Sequence, residues 1–151
     1  ADVAHLAREI GASIGVEQVG VYIIPKVGYY PDSIFAALTL LCHIREVREI
    51  RAFFRNIPSL FFDKGKVHCA NESKQAVMAK VAEKAGYFGS AGVNTLDGVR
   101  LEFGDSWLLI RASGTEPIIR VLAESPSASQ TRDLIEKGTR LVQNVATGGK
   151  Q

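Results

Sequence analysis

A short stretch of alternating residues limits the fold of this chain more than any other feature does. Between Val99 and Phe103, apolar residues alternate with charged ones, which is typical of a strand with one buried face. The following pair, Gly104-Asp105, predicts a two-residue hairpin turn with glycine first. The next strand, from Ser106 to Arg111, must then run antiparallel to the first, so the chain contains an antiparallel sheet.

A strand and a helix are predicted upstream of this hairpin. The strand runs from about Leu60 to Cys69 and is either continuous or interrupted at Lys64-Gly65. Asn71 is placed to cap the helix, and Gly86 is placed to end it. One face of the helix is apolar, whereas the opposite face is rich in lysine, Lys74 included, and is expected to be solvated.

One more strand and a last helix are predicted downstream. The strand pattern runs from Ile118 to Glu124, and Ser127 with Gln130 matches a capping box. From residue 59 onward the order is therefore strand, helix, three strands, helix. We expect an α+β domain of two layers, with the helices on one face of a mainly antiparallel four-stranded sheet.

The first 58 residues show a different pattern. A short helix is predicted from Val3 to Ile10, and an extended segment from Val19 to Ile24. Asp32 is placed to cap a longer helix that runs from Ser33 to about Ile44. A further short helix ends before Pro58, because the residue preceding a proline is pushed out of the α region.

This change of pattern marks a domain boundary near residues 56–59. It divides the chain into residues 1–58 and residues 59–151. The longer helix of the first part carries a wide apolar stripe that needs a partner surface. We expect a second copy of the chain to cover it, through Ile34, Leu38 and Leu41.

Composition excludes several classes of protein. Apolar residues make up 46% of the chain, so a core can form. The formal charge of +2 comes from scattered Lys and Arg, which argues against a nucleic-acid surface. No stretch approaches the about 20 apolar residues that span a bilayer, and two cysteines do not suggest a disulfide framework. We expect a cytoplasmic location and a small anion as the partner.

The loop after the hairpin carries the groups that a phosphate needs. Arg111 ends a strand, and two hydroxyl residues follow it with Gly114 between them as the expected pivot. A guanidinium, hydroxyls and backbone N–H groups can then converge on one anion. Arg120 either adds a second positive charge or holds Glu116 in position. The predicted phosphate-binding residues are Arg111, Ser113, Gly114, Thr115, Glu116 and Arg120.

The same residues carry a resemblance to a known family. The run from Leu109 to Val121 closely resembles the signature of the last domain of α-D-phosphohexomutases. Residues 97–100 and 64–67 also look like that domain, and the likeness covers residues 55–147. Gly28 to Leu41 resembles the end of the preceding domain of the family, so the resemblance implies that residues 1–58 are a truncated remnant of that third, α/β domain.

The resemblance implies a reaction that this chain cannot perform alone. Family members isomerise hexose or hexosamine 1-phosphates and 6-phosphates, as phosphomannomutase, phosphoglucomutase or phosphoglucosamine mutase. They use magnesium, an Asp-x-Asp-x-Asp-Arg loop and a phosphoserine in a Ser-His-Asn-Pro-like loop. Neither loop occurs in this sequence, so we expect no catalytic or metal-binding residue here and no activity of the isolated chain.

Sugar recognition is less well matched, which leaves a second function open. The third domain of the family has a sugar-contacting Gly-Glu-x-Ser-Gly loop, and Glu17 occupies the place of the glutamate, but Val19 replaces the serine. Glu17 is either a sugar ligand or an exposed charge at the start of a strand. The alternative to part of an enzyme is a non-catalytic module that binds phosphosugars or a partner protein.

Overall fold

A computed structural model describes residues 2–17 and 20–148. The chain forms two compact units, one up to Pro58 and one from Ser59 onward. Within the described residues, no helix combines the length and the apolar character needed to cross a bilayer.

Within residues 2–17 and 20–58, the first unit contains two short strands and three helices. Its elements are α1 (Asp2–Glu9), β1 (Gly15–Glu17), β2 (Val21–Ile23), α2 (Ser33–His43) and α3 (Val47–Arg55). The two strands pair antiparallel, and β1 was not predicted. Asp32 caps α2 as predicted, because its carboxylate accepts a 2.8 Å hydrogen bond from the Phe35 N–H.

The second unit is a five-stranded antiparallel sheet with two helices. Its elements are β3 (Phe61–His68), α4 (Lys74–Lys84), β4 (Gly92–Asn94), β5 (Val99–Phe103), β6 (Ser106–Ala112), β7 (Ile118–Ser125) and α5 (Ala128–Ala146). The strand order is β3-β7-β6-β5-β4, and every neighbouring pair is antiparallel. The predicted fold class is confirmed. The sheet has one strand more than predicted because β4 is too short to show an alternating pattern.

Three predictions about the ends of helices need correction, and the open alternative for the first strand of this unit is decided. The strand β3 is uninterrupted at Lys64-Gly65. Asn71 begins a 3-10 turn and its side chain caps nothing, so α4 starts only at Lys74. Gly86 lies inside a second 3-10 turn, which ends at Gly89, where φ is +66°.

The capping box before α5 does not form. Ser127 is the N-cap residue, but its side chain makes no capping bond and bonds the Ser129 hydroxyl instead. The Thr131 hydroxyl lies 2.9 Å from the Phe61 carbonyl oxygen and 3.1 Å from that of Ser127, and its one proton can donate to either of them. The start of α5 is thereby tied to β3.

One face of the sheet carries the core of the second unit. Alternate residues of the central strands are fully buried, and they pack against α4 and α5. Because the buried residues fall at every second position, both helices lie on the same face of the sheet. The largest fully buried aliphatic residues of the strands are Leu101, Leu108, Ile110, Ile119 and Val121.

A glycine brings α5 close to this sheet. A Cβ atom added at Gly138 would lie 2.8 Å from Val121 Cγ1 and 3.1 Å from Leu108 Cδ1. Both neighbours are fully buried, so they have little room to move. Gly138 therefore sets the distance between the helix and the central strands.

Replacing Gly138 by valine should overpack this contact and lower the free energy of unfolding by about 1–3 kcal/mol. The matched control is Lys137→Val, which places the same side chain at an exposed position of α5 and should change stability by no more than about 0.5 kcal/mol. Urea denaturation followed by circular dichroism measures both. Equal stabilities of the two variants would contradict the close approach of α5.

The apolar stripe of α2 is exposed within the chain, with Ile34 77% and Leu41 66% accessible. Since exposed apolar patches favour association, we expect the chain to sediment as a species larger than its 16.4 kDa monomer. Leu41→Ser should shift this equilibrium towards the monomer, whereas the matched change Leu96→Ser, at an exposed leucine of the second unit, should not. Analytical ultracentrifugation that finds only monomer at millimolar concentration would contradict self-association.

Candidate functional site

The loop between β6 and β7 is a tight turn braced by one hydroxyl. The Ser113 side chain is 5% exposed, and its Oγ accepts hydrogen bonds from the N–H groups of Glu116 at 3.2 Å and Thr115 at 3.4 Å. The Ser113 N–H closes the turn by donating to the Ile118 carbonyl at 3.0 Å. Ser113 therefore shapes the loop with its oxygen, and its hydroxyl proton is left to donate.

Arg111 is held at the edge of this loop by a carboxylate. Its Nη1 donates to Asp97 Oδ2 at 2.7 Å, and its Nε is buried with no hydrogen-bond partner among the described residues. Asp97 comes close because residue 98 is a glycine with φ +93°, where a Cβ would lie 2.8 Å from Arg111 Cβ. The guanidinium is thus fixed in direction by one bond and retains free donors.

Arg120 holds Glu116 in position. The Arg120 Nη2 donates to Glu116 Oε2 at 2.6 Å, so the second of the two predicted roles for Arg120 is the one present in this structure. The hydrogen bond from Arg120 has the largest effect and lowers the pKa of Glu116, whereas partial desolvation raises it less. The charges of Arg120, Lys66 and Lys74 each lower it by smaller amounts. Glu116 stays ionised at neutral pH and keeps Arg120 in place.

A lysine that was expected in solvent supports the loop from below. Lys74 is 9% exposed, and its Nζ donates to the backbone oxygens of Ser113 at 2.6 Å and Glu116 at 2.5 Å. The prediction of a solvated lysine face is wrong at this position. The helical spacing of the sequence could have indicated this burial. Lys74 precedes the buried Val77 by three residues and Val81 by seven, which places all three on one helix face.

Other predicted residues contribute less to the geometry. Gly114 has no positive φ, and a Cβ there would meet nothing within 4 Å, so the backbone does not require glycine as a pivot. Its N–H makes no hydrogen bond within the part of the chain that is described. Glu17 ends β1 in the other unit and is half-buried, and Val19 lies outside the described residues.

The described residues contain no cluster of three side chains that are typical metal ligands. Nowhere in residues 2–17 and 20–148 do three His, Cys, Asp or Glu side chains converge so that they could hold a metal ion. The two carboxylates beside the loop, Asp97 and Glu116, are each paired with an arginine. This constellation suits an anion and not a hard cation.

Known proteins match this chain in sequence and in fold. A sequence model of the phosphoglucomutase/phosphomannomutase C-terminal domain matches residues 66–140. A probable phosphoglucosamine mutase of Thermococcus kodakarensis is 36% identical over 141 residues, which are 93% of this chain and 31% of that protein. A probable phosphoglucosamine mutase of Methanosarcina acetivorans is 39% identical over 125 residues, covering 82% of this chain and 28% of that protein.

A solved structure supports the same assignment at the level of the fold. The phosphoglucomutase/phosphomannomutase family protein from Burkholderia thailandensis superposes with a TM-score of 0.76 at 22% identity, over 99% of this chain and 31% of that one. The chain thus spans less than a third of the length of the proteins it matches. These matches show that the protein belongs to the α-D-phosphohexomutase family and that residues 66–140 lie in its C-terminal domain.

Proposed function

We propose that the loop 111–117 binds the phosphate group of a hexose or hexosamine phosphate. The observation that carries this proposal is the Arg111 guanidinium, which Asp97 fixes in direction while its buried Nε is left without a partner. Because the Arg111 side chain is 41% exposed, the remaining N–H groups of its guanidinium can donate to phosphate oxygens. The Gly114 N–H and the Ser113 hydroxyl proton lie in the same turn and add neutral donors.

The bound phosphate is the one that is not transferred in the mutase reaction. A longer protein of this family would hold this phosphate on the loop while the other end of the sugar reacts. The loop contributes binding energy that positions the substrate. Because the relatives are named probable phosphoglucosamine mutases, we propose a hexosamine phosphate as the substrate and interconversion of its 1-phosphate and 6-phosphate as the reaction.

The chain by itself contains groups that can bind a phosphate but lacks the groups that transfer a phosphoryl group. Phosphoryl transfer needs an acceptor oxygen and charge stabilisation at the reacting end as well as a grip on the distant phosphate. The Ser-His-Asn-Pro-like and Asp-x-Asp-x-Asp-Arg loops that the family uses are missing from the sequence. The residues present therefore bind and orient a phosphate, and we propose that they do so in the cytoplasm.

Replacing Arg111 by alanine should weaken phosphate binding more than any other change in the loop. We expect the 151-residue chain to bind inorganic phosphate with a dissociation constant near 1 mM, which corresponds to a binding free energy of about 4 kcal/mol. Arg111→Ala should reduce this binding free energy by about 1.5–3 kcal/mol. Arg140→Ala is the matched control, since it removes the same charge from the exposed face of α5.

Phosphate titrations of ¹⁵N-labelled protein, followed by NMR, distinguish the outcomes. Shifts confined to residues 111–120 in the wild type and in Arg140→Ala, and absent in Arg111→Ala, support the proposal. If the shifts centre on the exposed lysines Lys80 and Lys84 and persist in Arg111→Ala, the loop is not the binding site.

We also expect the chain to give no turnover above background in phosphoglucomutase and phosphoglucosamine mutase assays. The assays contain magnesium and a sugar bisphosphate activator, and a full-length mutase of the family serves as the positive control. Turnover that rises in proportion to the concentration of the purified chain would refute the inference that it lacks the reacting groups.

A further inference from the structure

We propose that Lys74 is a positioning residue of the phosphate loop and that its ammonium group supplies the uncompensated positive charge that attracts the phosphate. This inference rests on the proposed function of the loop and adds to it a residue from a different element. Lys74 is the first residue of α4 and lies 39 positions before Ser113 in the chain.

The first argument is geometric. The Nζ of Lys74 bonds the backbone oxygens of Ser113 and Glu116, the two residues that bound the turn. The Ser113 carbonyl therefore points towards α4, which leaves the Gly114 N–H of the same peptide unit on the other side of the turn. The Thr115 N–H is held by Ser113 Oγ. The adjoining Pro117 carbonyl accepts from the Cys69 N–H at 2.9 Å, so the turn is fixed from beneath at three carbonyls.

The second argument concerns charge. Arg111 is paired with Asp97, and Arg120 is paired with Glu116, so each arginine is neutralised at short range. Among the described residues, no carboxylate lies within ion-pair distance of Lys74. Lys66 lies opposite Arg120 in the sheet register but is exposed, so water screens its charge. Lys74 is buried, and its field is screened less.

The third argument is that an ammonium group is a costly way to hold a turn. Burial removes the hydration of the ammonium group, which costs free energy. Hydrogen bonds to two neutral carbonyls compensate for this cost less fully than a carboxylate would. A bound phosphate dianion offers the missing counter-charge on the far side of the loop. The charge of Lys74 is therefore useful for anion binding, beyond its two hydrogen bonds.

The test compares Lys74→Met, which removes the charge and nearly keeps the side-chain volume, with Lys80→Met on the exposed face of the same helix. Inorganic phosphate is titrated by NMR into the full chain at low ionic strength. We expect Lys74→Met to bind about tenfold more weakly than the wild type, and Lys80→Met to stay within about twofold, because an exposed charge is screened.

The salt dependence of binding and the charge-conserving variant Lys74→Arg distinguish an effect of the Lys74 charge from an effect of its hydrogen bonds to the loop. If the ammonium attracts the anion, Lys74→Met should lose part of the salt dependence of binding, and Lys74→Arg should retain it even where its absolute affinity falls. Equal salt dependence in Lys74→Met and wild type would overturn the role of the charge. Circular dichroism and thermal unfolding establish that the variants are folded.

A measurement on the wild type keeps the proposal testable if Lys74→Met does not fold. The side-chain ¹⁵Nζ resonance of Lys74 should shift on adding phosphate, whereas that of Lys80 should not; an unmoved Lys74 signal would contradict the inference. Absence of phosphate binding by the wild type would refute the proposed function and this inference together. Binding that Arg111→Ala weakens and Lys74→Met leaves unchanged would refute this inference alone.

Discussion

Two arginines face each other across the β6–β7 pair of strands, and much of the site follows from this arrangement. Arg111 and Arg120 are directly opposite in the register of β6 and β7, where like charges repel. The repulsion is relieved by Asp97 on one side and Glu116 on the other. The two carboxylates draw the guanidinium groups in different directions, so that Arg120 belongs to the loop structure and Arg111 keeps donors for a ligand.

The surrounding fold positions these charges through backbone contacts. Gly98 lets the segment before β5 approach β6 closely enough for Asp97 to reach Arg111. The pairing of β3 with β7 brings the residues that follow β3 beneath the loop, and Lys74 begins the helix there. Residues from three separate stretches of the chain, 69–74, 97–98 and 111–120, therefore meet at one turn, and the antiparallel sheet is what brings them together.

Sequence patterns were most informative where one periodicity ran through a whole element. The alternation from Val99 to Phe103 predicted the hairpin, and the order of strand and helix patterns from residue 59 onward predicted the two-layer architecture. The short strand β4 was not predicted, because three residues are too few to show the two-residue period of a strand. Ends of helices were also missed at Asn71 and Gly86, since a 3-10 turn leaves no distinct trace in the sequence.

The sequence proposed which residues form the candidate site but not the contacts that hold them. The loop sequence itself identified Arg111 and Ser113, but nothing local indicates that a hydroxyl serves first as an acceptor for its own turn. Asp97 and Lys74 act through long-range contacts, which no spacing rule encodes. The position of Lys74 on the buried helix face was visible in the sequence and was outweighed by the general preference of lysine for water.

The anchoring of the turn from beneath has a consequence for transplanting this recognition element. A synthetic peptide with the sequence of residues 109–121 would contain every side chain of the loop, yet it would lack Lys74, the Cys69 N–H and Asp97. Such a peptide would sample many turn conformations and would lose conformational entropy on binding that the folded domain has already lost. Grafting the loop onto another protein would require a host with a cationic side chain below the turn and a strand on each side of it.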